Sequence, residues 1–360
     1  MTVLSGSASV PTEDNARQCN IAYPVNTKRF EWLVVLFSAW IVAGLFLDGW
    51  AHNTLRNAIE TFFTPWHAVL YSGFALAGGL LVITHTRNVR RGYHLLRALP
   101  KVYMLSLLGV AIFGLSGGAD FLWHSLFGFE VDTEALLSPT HLALAIGGVL
   151  IISGPFRAAW ERQRAQEKQG WADLLPTLLS LLGILSVFTF FTQFSNAFTH
   201  PNVFVGSRPA GDPYFWDVTL ISYVLIPAGL TMGFILLAIR RWTLPIGSLT
   251  FILAGNAVLM FLLGIRYSSD QWPVLLAALV GGIVADLLLA TLKPSTQRVM
   301  SLRLFAFITP FAFFLIYFAA LLLTGGIWWR IHMWLGAPFL VGIVGLGLSF
   351  LLAPPPMPDE

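Results

Sequence analysis

The chain has 360 residues, of which 56% are hydrophobic and only 11% charged, with a net charge of +3. Soluble domains carry about 25% charged residues, so long apolar runs in such a background mark a polytopic membrane protein. The lone Cys19 rules out a disulfide framework and a thiolate metal site, leaving His, carboxylate or Met as the only ligands available to a metal.

Residues 1–29 are polar and include Glu13, Asp14 and Arg17. They read as a flexible cytoplasmic segment without a cleavable signal, the first span acting as signal-anchor. Apolar runs of spanning length follow at 30–47, 64–84, 102–123, 138–158, 171–197, 216–238, 242–265, 272–292, 301–323 and 329–353. The expected fold class is therefore all-α, a polytopic membrane bundle of about ten helices. Alternate loops are basic: Arg87, Arg90, Arg91, Arg97 and Lys101, then Arg157, Arg162, Arg164 and Lys168, then Arg240 and Arg241, then Lys293, Arg298 and Arg303. The positive-inside rule makes those loops cytoplasmic, together with both termini and the 354–360 tail. A bacterial or archaeal plasma membrane is the expected location. Pairs such as Gly78-Gly79, Gly117-Gly118, Gly147-Gly148 and Gly281-Gly282 predict close helix approach.

Spans one to four contain a repeat. Asp48-Gly-Trp-Ala-His52 leads to Thr64-Pro65-Trp66-His67, and Asp120-Phe-Leu-Trp-His124 leads to Ser138-Pro139-Thr140-His141. Each half reads Asp-x3-His, a connector, then [Ser/Thr]-Pro-x-His, so 30–158 forms a duplicated four-helix unit and 159–353 supplies six further helices. Residues four apart share a helix face, which aligns Asp48 with His52 and Asp120 with His124. Thr64 and Ser138 are good N-caps and Pro65 and Pro139 good first helical residues, which puts His67 and His141 in the first turn of the next helix. A helix N-terminus disfavours imidazolium, keeping those histidines neutral as coordination requires. Duplication of ligand-type residues while the intervening ones diverge predicts two metal triads, Asp48/His52/His67 and Asp120/His124/His141, on the extracytoplasmic side. They form two mononuclear sites or one dinuclear centre. Glu60 and Glu134 recur seven residues before each final His; they either orient an imidazole or face water, and water is the simpler reading.

Other polar residues carry weaker expectations. Gln193, Asn196 and His200 follow at helical spacing and are expected on one face at the end of span five, as contacts around the metal or substrate or as a polar cap. Arg330 and His332 beside Trp328 and Trp329 read as interfacial anchoring. Asp286 inside span eight must be neutral, paired or interfacial, with Asn256 of span seven as a candidate partner. No phosphate loop after a strand, no nucleophile arrangement and no basic groove with interleaved aromatics is present, which sets aside nucleotide, hydrolase and nucleic-acid functions.

The run from Asp48 through His52 to Phe63-Thr64-Pro65-Trp66-His67 resembles the metal-binding segment of the C subunit of particulate methane and ammonia monooxygenases, and the second copy is similar. The resemblance covers these two segments. It implies copper at Asp48, His52 and His67 and by extension at Asp120, His124 and His141, although the gap to the last His is a few residues longer here and the motif is doubled. Zinc or iron also suits such ligands. Three functions are compatible: monooxygenase-like redox chemistry on a small apolar substrate reached past Phe188, Phe190, Phe191, Phe194 and Phe198; metal capture, transport or cuproprotein assembly; and a non-catalytic structural subunit among other membrane subunits. The sparse deep ligands count against transport.

Overall fold

The computed structural model describes residues 22–55, 63–128, 133–162 and 170–355. Most of the N-terminal segment, Glu60, Arg164 and Lys168 lie outside them. The protein is an all-α polytopic membrane bundle. Among the described residues its helices are α1 (Lys28–Thr54), α2 (Pro65–Arg90), α3 (Tyr103–Phe127), α4 (Thr133–Leu137), α5 (Pro139–Ile152), α6 (Gly154–Glu161), α7 (Trp171–Phe191), α8 (Pro213–Arg241), α9 (Ser248–Ser268), α10 (Pro273–Leu292), α11 (Val299–Thr324) and α12 (Ile331–Leu352). Nine are long and apolar enough to cross a membrane, and α5 with α6 makes a tenth if that bent pair is one span.

The first half is two hairpins, α1 on α2 and α3 on α5. Glycines set how close they come. A Cβ at Gly44 would lie 2.6 Å from the Leu70 Cα, and one at Gly147 would lie 2.7 Å from the Phe113 backbone nitrogen, so both hairpins pack backbone against backbone. In the second half α9 to α12 pack in sequence, and α12 closes against α8. Helix α7 is the hub, touching α1, α5, α6, α8 and α9. It is the most enclosed of the spanning helices, which explains why its apolar residues surround it instead of forming a stripe.

Two expected spans differ. The fourth breaks at Ser153 into α5 and α6, bent by 42°. Pro155 has no N–H for the Ile151 carbonyl, which opens the ladder there. Side-chain donors reach the carbonyls around the break: Ser106 Oγ donates to Ile151 O at 3.5 Å and to Leu150 O at 3.0 Å, Arg157 Nη2 to Leu150 O at 2.9 Å, and Ser180 Oγ to Ile152 O at 2.6 Å. The fifth span stops at Phe191 and not at 197, and the chain continues as a short 3-10 turn, Gln193–Ser195.

Asp286 is buried but is not partnered by Asn256. Its Oδ1 accepts from Leu249 N at 3.2 Å, and its Oδ2 accepts from Thr250 N at 2.9 Å and Thr250 Oγ1 at 2.6 Å. Helix α9 begins after Gly247, which has no side chain to cap with, so Asp286 of α10 supplies the cap from a neighbouring helix. Asn256 instead donates to Ser186 Oγ and Thr189 Oγ1 on α7. Asp286→Ala is expected to lose about 1–3 kcal/mol, the cost of a lost cap plus stranded buried donors. A melt in detergent that is unshifted would contradict this capping role. Trp329 is likewise not an interfacial anchor: it is buried against Phe204 and Phe318 and donates to Asp217 Oδ1 at 3.1 Å.

Candidate metal centre

Helix α1 runs unbroken through Asp48 and His52, so the two stand one turn apart at its C-terminal end. Thr64 caps α2, accepting from His67 N at 3.2 Å, and Pro65 opens the helix, which fixes His67 in its first turn. The Asp48 Oδ2 lies 3.4 Å from His67 Nε2 and 3.8 Å from His52 Nε2, and the two imidazole centroids are 5.8 Å apart.

The second copy repeats this geometry. Asp120 and His124 end α3, Ser138 caps α5 by accepting from His141 N, and Pro139 opens that helix. Asp120 Oδ1 lies 3.4 Å from His141 Nε2, its Oδ2 lies 3.5 Å from His124 Nε2, and the ring centroids are 5.6 Å apart. Within each triad one ligand atom per residue falls within 4.8 Å of the others. A tetrahedral ion with bonds of about 2.0–2.1 Å separates its ligand atoms by roughly 3.3 Å, so separations of 3.4–3.8 Å match a coordination edge. They are longer than an ordinary N–H···O bond. Both groups are able to hold a metal ion.

The supporting contacts are unequal. At the second centre Thr140 Oγ1 donates to Asp120 Oδ1 at 2.6 Å, His124 Nδ1 lies 3.3 Å from Gly128 O, and His141 Nδ1 lies 2.7 Å from Ser138 Oγ. The Gly128 carbonyl can only accept, so His124 carries its proton on Nδ1 and presents the Nε2 lone pair toward the ion position, while Ser138 Oγ holds the His141 ring through Nδ1. At the first centre Trp66 stands where the repeat has Thr140, and the buried Asp48 Oδ1 has no hydrogen-bond partner among the described residues. An orphaned buried carboxylate oxygen costs free energy unless a cation takes it, so this oxygen fits a metal. Ser138→Ala is expected to weaken metal binding at the second centre by about 10–100-fold, the usual effect of removing a partner behind a ligand, and to leave the first centre unchanged. Competition with a chelator on purified protein would show equal loss at both centres if this assignment is wrong.

Both centres face one chamber of about 460 Å³. Asp48, His52 and His67 line it from one hairpin and Asp120 and His141 from the other; His124 is not among its lining residues. Its remaining walls are mostly apolar, among them Leu45, Leu70, Phe113, Leu144, Phe190 and Phe194. Gly49, next to Asp48, lets α7 close the wall: a Cβ there would lie 2.4 Å from Phe190 Cε2. The structure brings Gln193 and His200 to the chamber but not Asn196, because the chain leaves the helix at Phe191. Asn196 is extended, accepts from Phe198 N at 2.9 Å, and lines a separate pocket of about 30 Å³ with Asn256. Burial pushes the His200 imidazole below its ordinary pKa, opposed by a backbone hydrogen bond at Gln193, and so favours the neutral ring. Glu134 is exposed on α4 and is absent from the chamber walls.

Four polar chamber residues are not singled out by the sequence: Asn53, Tyr71, Thr133 and Tyr223. Tyr71 was findable, since it follows His67 by one helical turn, and its ring meets the imidazole edge-on with centroids 6.4 Å apart. Tyr223 had no local signal; it arrives from α8 and packs against His200 at 5.8 Å. No family model, no curated protein and no solved structure matches the chain.

Proposed function

We propose that this chain is a membrane redox enzyme in which the Asp48 and Asp120 centres hold copper and act on an apolar molecule bound in the chamber they share. The observation that carries this reading is the opening of two ligand triads into one apolar chamber. A metal that merely clamps helices needs no chamber. A permease needs a trail of ligands through the bilayer, and the deep acid Asp286 is engaged in capping α9.

When bound, the metal supplies Lewis-acid and one-electron chemistry toward oxygen. The protein's own residues do the rest. Ser138, Thr140 and the Gly128 carbonyl hold the second centre's ligands in place. Asp48, His52 and His67, and likewise Asp120, His124 and His141, would hold the ion through three protein ligands and would leave it able to take a further group. The apolar walls keep water from the reacting region and admit a hydrocarbon. The triads lie at the opposite end of the helices from Arg87, Arg90, Arg240, Arg241 and Lys293, which supports an extracytoplasmic position for them.

Two imidazoles and one carboxylate are also the donor set of non-haem iron(II) oxygenases, so iron in the same positions is the second reading. Elemental analysis of protein purified in detergent, with electron paramagnetic resonance and oxygen uptake, tests both. Copper with a Cu(II) signal and uptake that depends on an added apolar substrate supports the first reading. Iron supports the second. Tightly held zinc with no oxygen uptake would refute a redox role.

A further inference from the structure

The chamber's polar groups are not confined to the two triads. Asn53 follows His52 directly and reaches across to the turn after α7 and to α9, its Nδ2 donating to Gln193 Oε1 at 2.9 Å and to Leu263 O at 3.2 Å. Those two bonds fix how both amides are turned. Asn53 keeps a carbonyl oxygen and Gln193 keeps an NH2 group with no hydrogen-bond partner among the described residues, and both side chains line the chamber. Gln193 is only 7% exposed, yet neither of these two amide atoms is sealed inside the protein, so both are open to a ligand in the chamber. An acceptor and a donor thus line the chamber together beside His52 of the first triad, and the chamber also has apolar walls.

We infer that the chamber takes a hydrocarbon of roughly ten carbons bearing one hydroxyl group, a ligand of the size that pockets of about 300–1,000 Å³ enclose. The hydroxyl donates to Asn53 Oδ1 and accepts from Gln193 Nε2, while the chain lies along Leu45, Leu70, Leu144 and Phe190. This names the substrate class of the proposed site and so rests on that reading. The pairing selects among head groups. A hydroxyl satisfies both amides at once. A ketone leaves Asn53 Oδ1 unmatched, an alkane leaves both amides unmatched, and an ammonium group would lose its hydration beside a bound cation. The volume argues equally against a gas-sized substrate, which would leave most of the apolar wall unfilled.

The test uses full-length protein with its native metal in lipid nanodiscs, probed by fluorine NMR with a trifluoromethyl-terminated decanol and the matching trifluoromethyl alkane. The expected result is a bound resonance, distinct from the lipid-dissolved one, with the alcohol favoured over the alkane by about tenfold, the worth of one or two buried hydrogen bonds. Gln193→Met should abolish that preference. Gly148→Leu should remove binding of both probes by filling the volume, because Gly148 lines the chamber and a Cβ there meets only the Phe113 ring, at an ordinary 3.8 Å. Equal affinity for alcohol and alkane, no bound resonance in the wild type, or a preference that survives Gln193→Met would overturn the inference. Metal content measured on the same samples separates the two levels. Bound alcohol in protein that takes up no metal upholds the chamber ligand and removes the redox reading, whereas metal without bound alcohol does the reverse.

Discussion

His141→Ala strips metal from the Asp120 centre and leaves the Asp48 centre loaded; His67→Ala does the opposite; the double variant binds no metal. The expectation follows from the way each triad spans a hairpin. Asp120 and His124 come from α3 and only His141 comes from α5, so truncating His141 leaves two ligands on a single helix and none facing them. Loss of a partner behind a ligand lowers affinity by about 10–100-fold, and loss of the ligand itself costs more. The fold has its own support, because α3 and α5 remain joined through Thr140 and Asp120 and through the glycine contact deeper in the hairpin. Metal per chain, measured by elemental analysis after passage over a chelating resin, reads the result directly. Undiminished metal in both single variants would remove the ligand assignment, provided the variants melt as wild type does.

Gly147→Leu is expected to disrupt the second hairpin, and Gly118→Leu is not. At Gly147 a Cβ would lie 2.7 Å from Phe113 N and 2.9 Å from Gly109 O. Those are backbone atoms that no rotamer change can move, so α3 and α5 must separate. Overpacking of this kind costs about 1–3 kcal/mol and sometimes more. At Gly118 nothing lies within 4 Å of the added atom. The same separation carries His141 away from Asp120, so metal at the second centre should fall with thermal stability while the first centre keeps its ion. Thermal melts of the two variants in detergent, run beside metal analysis, check both parts. Equal stability of Gly147→Leu and Gly118→Leu would mean that the close contact does not hold the hairpin.

The legible and illegible parts of this protein divide by the range of the interactions involved. The repeat, the caps at Thr64 and Ser138, the prolines after them and the Asp-x3-His spacing are local, acting within one or two helical turns. They were readable, and the structure places the six ligand candidates in two triads. The spans were readable too, since apolar length is a property of the segment alone.

What crosses between segments was not readable. The sequence contains Gly154-Pro155, yet whether a proline bends a span or is absorbed depends on outside donors, and here Ser180, Ser106 and Arg157 are in place to accept the break. Periodicity put Gln193, Asn196 and His200 on one face, but the helix ends at Phe191, and two of the three reach the chamber by way of an irregular loop. Asp286 inside its span must be neutral, paired or interfacial, and Asn256 is the candidate partner that the sequence offers. Each is satisfied instead by a different helix: Asp286 by the α9 terminus and Asn256 by α7. The sequence by itself determined the membrane bundle, the duplicated Asp/His triads and the end of the helices on which they sit, because those rest on local periodicity and capping. Only the tertiary structure decided that both triads open into one chamber and that Asn53 and Gln193 meet there, because a cavity is bounded by residues from several helices whose spacing no single segment encodes.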